Sequence, residues 1–152
     1  MLIQQLNRTD AERVQIVVKN VDGGGSLTTG MGVCFAQVAA SADGAGAVRH
    51  TKALQAQFCG VAAQDIAINA FGLVTAWGFA ASVLLSQSVG SWTITSGDIL
   101  KPADSTNIGA FTSVLTPQAM STLLYKYVVA AGTIADTISN PRPYISGIVR
   151  AL

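Results

Sequence analysis

The residues able to do chemistry in this sequence are few and far apart. One histidine, His50, stands in Val-Arg49-His50-Thr-Lys52. A Ser or Cys nucleophile needs a base and an orienting acid within reach, so any hydrolase built on this chain would need His50. It lies between two cations that disfavour its protonation, and it reads as a surface histidine. Cys34 and Cys59 sit in apolar settings, Gly-Val-Cys34-Phe and Gln-Phe-Cys59-Gly. They lack CxxC spacing and have a single histidine for company, so no zinc site is expected. Two buried thiols is the plain reading; a disulfide is the other. Glu12 is the one glutamate. The aspartates are scattered, and Asp22, Asp43, Asp98 and Asp104 stand where a carboxylate serves a turn. Asp22-Gly-Gly-Gly-Ser26 is no phosphate loop, because GxxxxGK followed by Ser or Thr is absent. No catalytic, cofactor-binding or metal-binding residue is expected, and the chain reads as a non-enzyme.

The chain that must position these residues has 152 residues, of which 50% are hydrophobic and 11% charged. Globular domains average about 25% charged, so the exposed surface must be small and neutral, or covered by a partner. Disorder is excluded by the apolar content. Nine basic residues against eight acidic ones leave no excess to neutralise phosphates, so nucleic acid is not an expected partner. No stretch approaches the ~20 apolar residues of a membrane helix, so no membrane partner is expected. Gln4 and Gln5 interrupt the opening apolar residues, which argues against a signal peptide. Synthesis in a cytosol follows as an expectation.

Periodicity points to a mainly β fold, a small β-barrel or sandwich. Residues 13–21 alternate as a strand, with Val14, Ile16 and Val18 on one side. Residues 31–38 form a second apolar run, and 39–47 a small-residue loop. Thr51 to Phe58 reads as a strand, as do 64–69, 72–78, 79–85, 91–95, 99–100, 107–115 and 144–152. Short strands with turn signals every 8–12 residues are the pattern of a sandwich or barrel. Thr116-Pro117 resembles a helix start. Met120, Leu123, Leu124, Tyr127, Val128 and Ala131 share one helical face, and Gly132 stands where a helix would end. This predicts a helix near 117–131, with a strand over Leu123–Val129 as the competing reading. Residues 1–12 read as an extended arm and 13–152 as one domain.

From Phe58 to Leu100 the order of residues is distinctive. Gly60-Val-Ala-Ala63 is followed by Gly72-Leu-Val-Thr-Ala-Trp-Gly78, an apolar strand, and Ile94-Thr-Ser-Gly97-Asp98-Ile-Leu100. This order resembles the capsid decoration, or cement, proteins of tailed bacteriophages. There a GVA strand, a G-x-V strand and a GD-x-L turn recur in a small β-barrel.

The resemblance implies a non-enzymatic virion protein on the capsid exterior. It would bind the outer face of the head, bridge major capsid protein subunits, and assemble with itself, as a trimer in preference to a dimer. The opening arm then supplies candidate capsid contacts at Leu2, Ile3, Leu6, Arg8, Asp10 and Arg13, since an arm can order on binding. Pro141, Arg142 and Tyr144 are further candidates, because proline holds that segment extended. Trp77 and Trp92 are candidates for a subunit interface or the core. A competing function is a virion-associated carbohydrate- or host-binding module using Trp77 or Trp92 as a sugar platform.

Overall fold

A computed structural model of the chain describes residues 12–36, 46–86, 91–102, 109–113, 127–137 and 144–151. The strands are β1 (Arg13–Asn20), β2 (Gly32–Phe35), β3 (Gly46–Arg49), β4 (Phe58–Ala62), β5 (Phe71–Leu84), β6 (Ser91–Ile94), β7 (Ile99–Pro102), β8 (Phe111–Ser113), β9 (Tyr127–Ala130), β10 (Ile134–Thr137) and β11 (Tyr144–Arg150). The protein is mainly β, as its periodicity implies, and contains a closed five-stranded barrel. Among the described residues no helix is long and apolar enough to cross a membrane.

The barrel runs β1-β3-β2-β4-β5 and closes through pairing of β1 with β5. A ring with an odd number of strands cannot be antiparallel throughout. The parallel seam is β1–β3, where Lys19 meets Gly46 and Asn20 meets Ala47. Val18, Leu27, Val33, Cys59, Ile66 and Val74 belong to the core cluster formed by these strands and their loops.

Strand β5, 14 residues long, reaches beyond the barrel. Its first half pairs with β1, from Lys19–Phe71 to Arg13–Gly78. Its second half pairs with β11, from Arg150–Trp77 to Tyr144–Leu84. The sheet then continues through β9, β7 and β8. A second core cluster joins Cys34, Phe58 and Val61 of the barrel strands to Val83, Phe111 and Val149 of this extension. β6 and β10 pair separately.

Two glycines make this geometry accessible. Gly78 has φ +94°, and a Cβ there would fall on the Glu12 carbonyl. Gly60 has φ +146°, and a Cβ there would fall on the Thr75 carbonyl. Both positions need a residue without a side chain.

Several expectations are corrected. Residues 72–78 and 79–85 are not two strands, because Gly78 lets one strand pass a neighbour rather than stop. Residues 52–57 form a 3-10 helix, not a strand; Lys-Ala-Leu-Gln-Ala-Gln has no β-branched residue to resist it. Residues 64–69 are mostly turn, held by the single bridge Leu27–Ile66. The loop expected over 39–47 ends in strand β3, whose small residues accept neighbours on both edges. The end of the expected helix, residues 127–130, is strand β9. It is paired on both sides, with Val129 opposite Ile148 and also opposite Ile99. Two ladders outweigh a helical apolar face. The rest of that helix, the arm residues 1–11 and the segment 138–143 lie outside the described residues.

Candidate functional site

β5 carries an outward row of side chains. Phe71 and Trp77 are exposed, at 61% and 38%, and Leu73 and Phe79 are half-buried. The intervening Gly72, Val74 and Ala76 are buried. Alternation accounts for Phe71 and Leu73; Thr75 is then buried, and the register shift at Val14/Gln15 sets Trp77 opposite Val14. Neighbouring strands extend it sideways. Val17, 61% exposed, stands opposite Leu73, and Lys19 stands opposite Phe71. Directly opposite residues share a face of the sheet.

Three of its rings carry a cation. The Lys19 ammonium lies 5.9 Å from the Phe71 centroid. The Arg13 guanidinium lies 5.8 Å from that of Phe79. The Arg150 guanidinium lies 5.5 Å from that of Trp77. All fall within the ~6 Å reach of a cation–π contact, worth about 0.5–1 kcal/mol each at an exposed site. Among the described residues neither Arg13 nor Lys19 has a carboxylate partner. The result is two exposed clusters along β1 and β5, Phe71, Leu73, Val17 and Lys19 in one and Trp77, Val14 and Arg150 in the other, separated by the polar pair Gln15–Thr75.

The candidates named from sequence separate here. Trp77, 38% exposed and opposite Val14, is not a core residue, and Arg13 stands opposite Gly78 with its guanidinium over Phe79. Tyr144, 51% exposed, opens β11 opposite Leu84, seven residues along β5 from Trp77. Its ring covers Gly30 at the other end of the strand. Trp92 belongs to β6, where it pairs with Asp136. Leu2, Ile3, Leu6, Arg8, Asp10, Pro141 and Arg142 lie outside the described residues. Phe71, Val17 and Lys19 are the members that sequence reasoning passed over. The signal was the exposed-side alternation of 13–21, which carried Val17 and Lys19 on one face.

His50 is not a surface residue. It is 2% exposed, and neither ring nitrogen has a hydrogen-bond partner among the described residues. Its ring centroid lies 5.0 Å from that of Phe58 and 5.2 Å from that of Phe111. The backbone around it is fully engaged. The His50 N–H donates to the Gly32 carbonyl at 2.9 Å, and the His50 carbonyl accepts from Gly109 at 2.8 Å. Its proton affinity is indeed lowered, to a pKa of about 4, but burial is the cause rather than the neighbouring cations. A neutral imidazole wedged between rings, with no carboxylate to orient it, does not form a triad.

Cys34 and Cys59 are buried thiols. Their thiols approach the Leu54 and Val33 carbonyls respectively. Asp22 serves its turn as expected, accepting from the Gly24 N–H, and it also binds Arg49, at 2.8 Å from Nε. Burial pushes the Asp22 pKa up, but hydrogen bonds from Arg49 and Gly24 outweigh this and hold it below the usual carboxylate value. Asp98 accepts from the Thr95 N–H in the turn before β7. Among the described residues no group of His, Cys, Asp or Glu is placed to hold a metal ion.

No protein-family model, curated protein or solved structure matches the chain.

Proposed function

We propose that this chain is a structural virion protein that binds the outer surface of a phage head. It stabilises the shell by bridging major capsid protein subunits, and it performs no catalysis. The observation that carries the reading is the exposed apolar side chains of β1 and β5, Val17 with Phe71 and Val14 with Trp77, on a closed barrel. Isolated exposed apolar residues are ordinary, but a contiguous apolar surface marks an interaction site. Rings and arginine are the side chains over-represented in interface cores.

The sequence resemblance supports the same reading. Gly60-Val-Ala falls on β4, Gly72 to Gly78 on the half of β5 that closes the barrel, and Gly97-Asp98 on the turn entering β7. A small β-barrel is what the resemblance implies, and the chain contains a closed five-stranded barrel. Under this proposal the protein is made in the host cytoplasm and resides on the capsid exterior. It forms a homo-oligomer there, a trimer in preference to a dimer.

The test is loading. Purified protein is mixed with expanded heads lacking it, and the heads are imaged by electron microscopy. Added density at regular surface positions is expected; bare heads at saturating protein overturn the proposal. The exposed Trp77 indole favours one other reading, a sugar platform. The Arg150 guanidinium over that ring competes with a sugar for its face. Quenching of tryptophan fluorescence by a glycan panel, with no head binding, would replace the cement reading by that one.

A further inference from the structure

We infer that the His50 ring is an acid-released latch that holds strand β8 against the barrel. The device is independent of the head-binding proposal.

The attachment of β8 to the barrel is narrow. β8 is the last strand of its sheet, three residues long, with its ladder to β7 on one side. Two backbone bonds tie its leading residue to the barrel. The Gly32 N–H donates to the Gly109 carbonyl at 2.8 Å, and the Gly109 N–H donates to the His50 carbonyl at 2.8 Å. A third bond, from the Ser86 N–H to the Phe111 carbonyl at 2.7 Å, ties β8 to the chain just beyond β5. The His50 ring packs behind these bonds, between the Phe58 ring of β4 and the Phe111 ring of β8. Gly32 of β2 lies so close that a Cβ there would fall on both the Phe111 ring and His50 Nδ1. One ring therefore touches three strands.

This packing suits a neutral imidazole. Protonation makes both nitrogens donors, and neither has an acceptor among the described residues. The flanking phenyl faces attract a cation, but that attraction is small beside the hydration a buried charge gives up. The titratable groups around the ring do not offset the loss. The Cys34 thiol of β2 approaches the Leu54 carbonyl, the Cys59 thiol of β4 the Val33 carbonyl, and Arg49 of β3 is paired with Asp22. Lys101 of β7 is exposed, opposite Thr112. Burial alone sets the proton affinity of the ring. A protonated ring reaches water by displacing the weakest element against it. β2 and β4 are held on both edges inside the barrel, whereas β8 has a ladder on one edge. Local opening starts at the segment with the fewest ties.

The experiment is amide hydrogen exchange of the full chain between pH 7.5 and 4.5, read as protection factors and repeated at low urea concentrations. The closed ring titrates at about 4 and an opened one at the ordinary 6.5. Opening should therefore become about seventyfold more favourable over this range. The Gly32, Gly109 and Ser86 amides are expected to lose about that factor of protection. The reference is the Leu27 and Ile66 amides, which donate to each other's carbonyls at 3.0 and 2.7 Å in the other core cluster. At pH 4.5 the three latch amides should exchange about tenfold faster than this pair or more. They should also be indifferent to low urea, because a small opening exposes little surface. His50→Leu should abolish the pH dependence at the three amides, and His50→Met takes its place where that variant fails to fold. Equal protection and equal urea dependence in the two groups overturn the latch in favour of whole-chain unfolding. Unchanged protection of the three amides in acid overturns it, as does a pH-dependent loss that survives replacement of His50.

Discussion

Two groups of aromatic rings in this molecule treat charge in opposite ways. Inside, His50, Phe58 and Phe111 pack with centroids 5.0 to 5.8 Å apart and no charge among them. Outside, Phe71, Trp77 and Phe79 each carry a cation. Water makes the difference. A cation beside an exposed ring keeps most of its hydration and gains the ring's quadrupole. A cation in the buried trio would lose its hydration with nothing to replace it. The buried group joins the barrel to the sheet extension, and the exposed group is available to a partner. Stability and adhesion are therefore separable by mutation.

The widest separation is expected between two phenylalanines. Phe111 is 1% exposed and sits in the cluster that couples β8 to the barrel strands. Phe111→Ala should cost about 3–5 kcal/mol in urea unfolding, from lost burial and the cavity left behind. Phe71→Ala, at an exposed position, should change stability by about 0.5 kcal/mol or less. Equal costs would erase the contrast.

Acid probes the same contrast through His50. Its folded pKa of about 4 lies below the ordinary histidine value of 6.5. The unfolded chain thus binds the proton more readily, and stability falls as pH drops from about 6.5 towards 4. Above that window the contribution is fully present. The loss approaches about 3 kcal/mol, from 1.36 kcal/mol per unit. His50→Leu should flatten this part of the pH–stability curve whatever its effect at pH 7.5. An unchanged slope in the variant would assign the acid sensitivity to other groups.

How this arrangement showed in the sequence differs between the two ring groups. The barrel class was visible because short apolar runs punctuated by glycine have few other solutions. β1 was legible in part: Val18 is inward and Val17 outward, whereas Val14, on the Val18 side of the alternation, is exposed. The buried trio was invisible, because His50 is next to Arg49 and Lys52 in sequence and only tertiary pairing brings Phe58 and Phe111 around it. Residues 127–130 are ambiguous in sequence, since Tyr127 and Val128 satisfy a helical face as well as a ladder, and the competing strand reading over Leu123–Val129 is the one that matches β9. What decided it was two neighbouring strands, β7 and β11, which local pattern does not reveal. The exposed face was half legible. Trp77 and Arg13 are both candidates in the sequence, but only the β1–β5 register shows that Trp77 faces Val14 and Arg13 faces Gly78.

The smallest effect expected tests whether the Phe71 cluster is organised before it binds anything. Lys19 and Phe71 stand opposite each other, one on each side of the β1–β5 ladder. A double-mutant cycle, Lys19→Ala, Phe71→Ala and both, isolates their mutual term from the strand propensities each change also alters. A coupling of about 0.5 kcal/mol is expected, measured by urea unfolding at low salt. A coupling of zero would mean that the lysine is unconstrained and that the exposed rings do not pre-position their cations. A coupling far above this range would mean that Lys19 is bound too firmly to be shared. The weak intermediate value suits a surface that holds its charges in place and yields them to a partner.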